Sequence, residues 1–88
     1  MTTLPERIER DLTGRHPGTV QILQWFSADH LPEGPIRELS SIVANHAHYV
    51  AAVLPDGPEL TTGLRKLLEA KDCFVRAAIG ASRKAAGE

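Results

Sequence analysis

The sequence predicts an all-α protein: an antiparallel helical hairpin with one or two short N-terminal helices, assembling as a homo-oligomer. Apolar residues recur at three- and four-residue spacing along two long segments, and no alternating run indicates a strand. Between them, residues 54–58 (LPDGP) are typical of a tight connection. A chain of 88 residues forms one domain, 1–88, and a chain of this size buries only about 60–65% of its unfolded surface. Stability is therefore expected to depend on partners.

Two short helices are expected before the hairpin. Apolar residues at positions 4, 8 and 12 predict an amphipathic helix over residues 1–13, ended by a glycine. A second helix is expected from Pro17 or Thr19 to about Ala28. Residues 31–35 (LPEGP) then form a loop.

The hairpin domain is expected to cover residues 14–80, with long helices on either side of the connection. Pro55 is unfavourable inside a helix, whereas Pro58 suits the first helical position, where its missing N–H has no partner to lose. The small and charged tail, residues 81–88, is expected to fray. The two facing stripes contain Ile36, Leu39, Val43, His46 or Ala47, Val50 and Leu54, and Leu60, Leu64, Leu67, Lys71, Phe74 and Ala78.

Composition excludes several classes of function. The net charge of −1 argues against a DNA or RNA polymer as partner, because such proteins usually carry a basic excess. Every apolar run is far shorter than the roughly 20 residues that cross a bilayer, so we expect no membrane partner and a cytoplasmic location. Cys73 is the single cysteine, and no Cys/His set has ligand spacing, so neither a metal nor a cofactor is expected.

Residues typical of catalysis lack their usual partners in the sequence, so we expect a protein that is not an enzyme. Ser40 and Ser41 have no nucleophile-elbow context, and Cys73 has no basic neighbour to activate it. His46 and His48 are two positions apart and face about 200° from each other on a helix, which prevents joint chelation. His46 is interpreted as a packed core residue and His48 as an exposed one.

A charged ridge on the last helix offers candidate contacts for an anion. Such a ridge is ordinarily a solvated face with ion pairs worth about 0.2–0.5 kcal/mol each. Arg76 differs because small residues beside it, Ala77, Ala78 and Gly80, would let copies of the helix approach closely. Arginines that meet at a symmetry axis would require an anion between them. The ridge consists of Arg65, Glu69, Asp72, Arg76 and Arg83.

Trp25 and Phe26 are neighbouring aromatic residues in the second helix. Adjacent helical positions face about 100° apart, which favours one ring in the core and one on the surface. Burial of both rings is the alternative, slightly favoured by the sequence alone. An exposed ring near His16 or His30 would be a platform for a flat base, while capping or turn roles are the alternative for both histidines.

Several segments resemble those of a known family. They are His16, Trp25-Phe26, 30–32 (HLP), 54–60 (LPDGPEL), 63–72 (GLRKLLEAKD) and 75–78 (VRAA). Over roughly residues 14–80, the chain resembles the small helical-hairpin domain of phage anti-CBASS and anti-Thoeris sponge proteins.

The resemblance implies a protein that sequesters cyclic nucleotide immune signals in the infected bacterial host cell without degrading them. It implies a homo-oligomer, typically a hexamer, with pockets for cyclic dinucleotides between pairs of subunits. A second kind of pocket, at threefold junctions, takes cyclic trinucleotides. The ligand-binding residues expected on this basis are Arg76, Ser40, Ser41, His16, Trp25 and His30.

The expected roles divide between the two kinds of pocket. Three copies of Arg76 would match the three phosphates of a cyclic trinucleotide in number and symmetry, with Ser40 and Ser41 adding hydroxyl contacts. His16, Trp25 and His30 are the dinucleotide candidates. Two other hypotheses stay open: a helical protein–protein interaction module, and a sponge for the cyclic ADP-ribose signals of Thoeris systems.

Overall fold

A computed structural model describes residues 12–28, 30–85 and 87, and in these residues it contains three α-helices and no strand. Helix α1 spans Pro17–Gln24, α2 spans Pro35–Val53 and α3 spans Pro58–Ala85. The all-α prediction is confirmed. The helix predicted over residues 1–13 lies almost entirely outside the described residues.

The starts of the helices agree with the sequence better than their ends. Each helix begins at a proline. The apolar stripe predicts a helix over residues 36–54, and α2 differs from that range by one residue at each end. Helix α1 ends at Gln24, four residues before Ala28. Helix α3 continues through Ala85, so residues 81–85 of the tail expected to fray are helical in the structure.

The start of α2 depends on a glycine. Gly34 caps the helix with a φ of 143°, a conformation that residues with a side chain rarely adopt. Pro35 follows at the first helical position, where a proline costs no hydrogen bond. Any substitution of Gly34 would therefore strain the entry into α2.

All three helices contribute to one core. The α1 segment supplies Leu23 and Phe26, and α3 supplies Leu60 and Leu64. Helix α2 contributes mainly small residues, because Ala47 and Ala51 are essentially inaccessible to solvent. Small side chains let helix backbones approach closely, so α3 packs against both α1 and α2.

The second half of α3 is not part of this core. After Lys71, none of the described side chains of α3 is fully buried. Phe74, which the sequence places on the stripe facing α2, is 51% exposed. The 19 residues of α2 extend for about 28 Å, and Phe74 lies near the end of that distance along α3.

Candidate functional site

An exposed tryptophan ring marks the most distinctive surface of the molecule. Trp25 is 65% exposed, whereas the next residue, Phe26, is completely buried. The expected division between a surface ring and a core ring is therefore correct, and burial of both is wrong. Trp25 caps the C-terminal end of α1, where the buried Phe26 anchors the chain that follows.

A depression of about 420 Å³ lies beside this ring, between α1 and the first half of α3. Trp25 supplies a flat apolar face, Arg65 a cation, and Ile22 and Leu68 an apolar lining. Polar atoms come from His16, Gln21 and Thr61. We call this depression the Trp25 pocket; its lining residues are His16, Gly18, Gln21, Ile22, Trp25, Thr61, Arg65 and Leu68.

Arg65 brings an unpaired positive charge to the Trp25 pocket. The sequence favours an ion pair with Glu69, but among the described residues Arg65 has no ion-pair partner, and its side chain is exposed. A guanidinium without a carboxylate partner can bind a phosphate through two parallel hydrogen bonds. From the sequence, Arg65 is expected on a solvated ridge; in the structure it is the cation of the Trp25 pocket.

His16 has a structural role that also determines which of its nitrogen atoms can meet a ligand. Its Nδ1 accepts a hydrogen bond of 3.0 Å from the main-chain N–H of Gly18, which makes His16 the N-cap of α1. The neutral ring therefore carries its proton on Nε2. That N–H can donate to a ligand oxygen, so the capping and binding roles are compatible.

A second depression of about 450 Å³ adjoins the Trp25 pocket. The two share His16 and Thr61, and the second is completed by Asp56, Gly57 and Pro58. The shared lining makes one surface that runs from the indole to the α2–α3 connection.

Asp56 fastens the start of α1 to the α2–α3 connection. Its two carboxylate oxygens accept hydrogen bonds of 3.1 and 3.0 Å from Arg15 Nε, and one of them accepts a bond of 3.0 Å from the His16 N–H. The hydroxyl of Thr19 donates a further bond of 2.8 Å. The Arg15 guanidinium, assisted by the His16 N–H, holds the pKa of Asp56 well below its usual range. We call these contacts the Asp56 clasp.

Arg15 also serves the C-terminal end of α2. Its Nη1 donates to the carbonyl of Ala51 and its Nη2 donates to the carbonyl of Leu54 at 3.1 Å. Helix α2 has no basic residue in its own last turn. Cations at this end of a helix satisfy the free carbonyls and oppose the helix dipole. The clasp thus fixes His16 relative to both α2 and α3.

Arg76 is exposed and lies away from the Trp25 pocket. It is eleven positions beyond Arg65 on α3, a separation of about 16 Å along the helix axis. Its Nη2 donates to Cys73 Sγ at 3.4 Å, and the ion pair that the sequence favours with Asp72 is not formed in the described structure. The structure thus brings His16 and Trp25 together but leaves Arg76 about three turns away from Arg65 along the same face of α3.

Ser40 is buried too deeply to contact a ligand in this conformation. It is fully inaccessible, on the same face of α2 as Val43 and Ala47, and its hydroxyl has no hydrogen-bond partner among the described residues. Ser41 is half-buried in a depression of about 290 Å³ with Arg37 and two glutamates. The predicted contact from Ser40 is therefore withdrawn.

The remaining histidines do not join the Trp25 pocket. His30 is exposed and is not one of the residues that line it. His46 is exposed and His48 is half-buried, the reverse of the sequence expectation. Within the described ranges, no cluster of three or more His, Cys, Asp or Glu side chains is placed to hold a metal ion. No helix in the same ranges is long and apolar enough to span a membrane.

Comparison with known proteins leaves the family of this chain open. No family model, curated protein or solved structure matches it.

Proposed function

We propose that this protein is a phage anti-defence sponge, which binds cyclic oligonucleotide immune signals and holds them without degrading them. The observation that carries the proposal is the exposed indole of Trp25 in one depression with the capping His16 and with Arg65, which has no ion-pair partner among the described residues. A flat ring and a free guanidinium match the two parts of a nucleotide, its base and its phosphate.

The chemistry of the pocket favours binding of a nucleotide over other small anions. Stacking of a base on an aromatic side chain contributes about 1–3 kcal/mol and requires an exposed ring face, which Trp25 offers. Gln21 carries an amide that can pair with the edge of a base. A simple inorganic anion would use Arg65 and leave the indole in water.

The lining of the Trp25 pocket favours storage over chemistry. Among the described residues this lining contains neither a carboxylate nor a thiol, and the Asp56 carboxylate of the adjoining depression is held by Arg15. His16 Nδ1 is engaged with the Gly18 N–H, which leaves the ring to donate through Nε2 when it is neutral. These groups hold a phosphate and do not supply an activated nucleophile.

We further infer that α2 and α3 form an antiparallel hairpin and that copies of it assemble into a hexamer. The exposed outer residues Ile42, Tyr49 and Val53 on α2 and Phe74 on α3 support association, because apolar side chains of this size are otherwise left in water. Between Glu38 and Asp56 the sequence has no charged residue, so identical faces would not repel each other. Threefold contact through α3 would bring copies of Arg76 together around a cyclic trinucleotide.

A ligand panel tests the proposal directly. Purified protein is titrated by calorimetry with cyclic dinucleotides, cyclic trinucleotides and cyclic ADP-ribose signals, and is then heated so that bound ligand can be recovered and analysed. We expect binding and intact recovery. Trp25→Ala should weaken cyclic dinucleotide binding about 10- to 100-fold, the equivalent of one lost stacking contact.

Gln24→Ala, a change at the exposed position next to Trp25, is the matched control and should bind like the wild type. Recovery of a hydrolysed ligand would contradict storage and indicate an enzyme. Unchanged affinity in Trp25→Ala would remove the Trp25 pocket as the binding site.

A helical protein–protein interaction module is the second candidate, favoured by the same exposed apolar residues of α2 and α3. In that case the partner would be a different protein, and Arg76 would form an interface salt bridge. Light scattering separates the two. A monomer that binds no member of the panel would support the module, and a defined homo-oligomer that binds would support the sponge.

A further inference from the structure

Lys71 makes a long-range contact that connects α3 to the exposed tryptophan. Its Nζ donates a hydrogen bond of 3.0 Å to the main-chain carbonyl of Trp25, 46 residues away in the sequence. Lys71 occupies a position on the otherwise apolar stripe of Leu60, Leu64 and Leu67. We propose that Lys71 is a positioning residue, which sets the orientation of the Trp25 ring and thereby the affinity of the Trp25 pocket.

The C-terminal end of α1 can be stabilised by a cation from another part of the chain. The helix has only 8 residues and no basic residue in its last turn. A helix this short is unstable by itself, and the free carbonyls at its C-terminal end attract a positive charge. Lys71 supplies that charge from α3, just as Arg15 does for α2.

The orientation of the indole depends mainly on its own backbone. Because the ring is 65% exposed, few side chains pack against it. On the N-terminal side, the Trp25 N–H donates to the Ile22 carbonyl at 3.1 Å, and on the C-terminal side Phe26 is completely buried. The ammonium of Lys71 holds the peptide group between these two anchors. Without it, that peptide group can rotate and carry the ring with it.

Lys71 does not line the Trp25 pocket, so its effect on a ligand would be indirect. The affinity part of this inference rests on the proposed function, whereas the effect on the ring does not. Trp25 is the only tryptophan of the chain, and its fluorescence therefore reports on this one position in the ligand-free protein.

The test compares Lys71→Met, which removes the ammonium, with Lys71→Arg, which keeps a cation. Lys66→Met is the matched control, because Lys66 is an exposed lysine of the same helix. In Lys71→Met we expect lower tryptophan anisotropy, stronger quenching by acrylamide and about two- to tenfold weaker binding of cyclic dinucleotides, because the freed ring would have to be ordered when the ligand binds. Lys71→Arg should restore all three, and Lys66→Met should change none.

Unchanged anisotropy and quenching in Lys71→Met would overturn the inference, as would an equal change in Lys66→Met. A change in fluorescence without ligand binding by the wild type would support the positioning role and reject the proposed function instead. If Lys71→Met loses its helical circular dichroism signal, Lys71→Gln takes its place with the same expected direction.

Discussion

The two halves of α3 have similar sequence periodicity and very different surroundings. The first half, Pro58–Lys71, contributes the buried Leu60 and Leu64 to the core and lines the Trp25 pocket. The second half, Asp72–Ala85, contains no fully buried side chain, and its Phe74 is 51% exposed. One helix thus changes from a packed element to a solvent-exposed one near its midpoint.

Helical periodicity therefore predicts which face of a helix is apolar, but it does not predict which part of the molecule covers that face. In the first half the cover is α1 and α2 of the same chain. In the second half the described residues bury no side chain fully, and under the proposed function another copy covers the exposed apolar side chains. Of the two proposed ligand sites, the Trp25 pocket is lined by residues of one chain, whereas the site at Arg76 would need neighbouring copies.

The largest expected effect is on the stability of the first half. Leu64 is 1% exposed, so Leu64→Ala should lower the free energy of unfolding by about 2–5 kcal/mol. Phe74→Ala is the matched variant from the second half and should cost less in dilute protein, although it removes a larger side chain. Urea denaturation at several protein concentrations measures both. Equal losses in dilute protein would mean that the second half is packed within one chain.

The next prediction separates the two sites by ligand. Arg76→Ala should weaken cyclic trinucleotide binding at least tenfold, because a hydrogen bond to a charged group contributes about 1.5–3 kcal/mol. Arg65→Ala should instead weaken cyclic dinucleotide binding. Calorimetry measures both affinities, and light scattering checks that the oligomer persists. Unchanged trinucleotide affinity in an intact Arg76→Ala oligomer would exclude Arg76 as the phosphate clamp.

The Asp56 clasp predicts a pH dependence of stability. The folded pKa of Asp56 lies well below its usual value, so the clasp stabilises the fold above about pH 4 and this contribution is lost as the pH falls further. Asp56→Asn should therefore unfold at a lower temperature than the wild type at pH 7, by less than Leu64→Ala does.

The difference between Asp56→Asn and the wild type should narrow as the pH falls below about 4, because protonation then removes the same charge from the wild type. Thermal unfolding from pH 7 to pH 2 measures it. Glu59→Gln, a neutralised carboxylate at an exposed neighbouring position, is the control and should not reproduce this pattern. A constant difference at all pH values would argue against the clasp.

The smallest expected effect comes from the end of α3. Residues 81–85 are helical but fully on the surface, so deletion of residues 81–88 should change the free energy of unfolding by no more than about 0.5 kcal/mol. Urea denaturation of dilute protein measures this change. A clear loss would show that the second half of α3 supports the fold of a single chain.

The helix starts could be predicted because their signals are local. Each of the three helices begins at a proline, and the cap of α1 lies one residue before it. The burial of Ser40 could also be predicted from the sequence. Ser40 lies three and seven positions before Val43 and Ala47, so all three residues share the face of α2 that is buried in the core. A serine hydroxyl usually favours an exposed position, which is why Ser40 was assigned to a ligand site. For His46 and His48 the prediction of which side chain faces the core was also wrong, because His46 is exposed and His48 is half-buried.

The contacts that organise the Trp25 pocket could not be predicted in the same way. Arg15 and Asp56 are 41 positions apart, and Lys71 and Trp25 are 46 positions apart. No rule of sequence spacing predicts either pair, because both contacts depend on how α1 packs against the other helices. The sequence does offer one indication of the Lys71 contact. Lys71 is a lysine at a position of the stripe where an apolar residue is expected.

The length of α3 has a practical consequence for hydrodynamic measurements. A single chain extends for 49 Å in one direction and only 26 and 23 Å in the others. An elongated particle diffuses more slowly than a sphere of equal mass, so a monomer would elute from a sizing column at an inflated apparent mass. Conversely, side-by-side association of such rods would yield a rounder particle, whose frictional ratio falls as its mass rises.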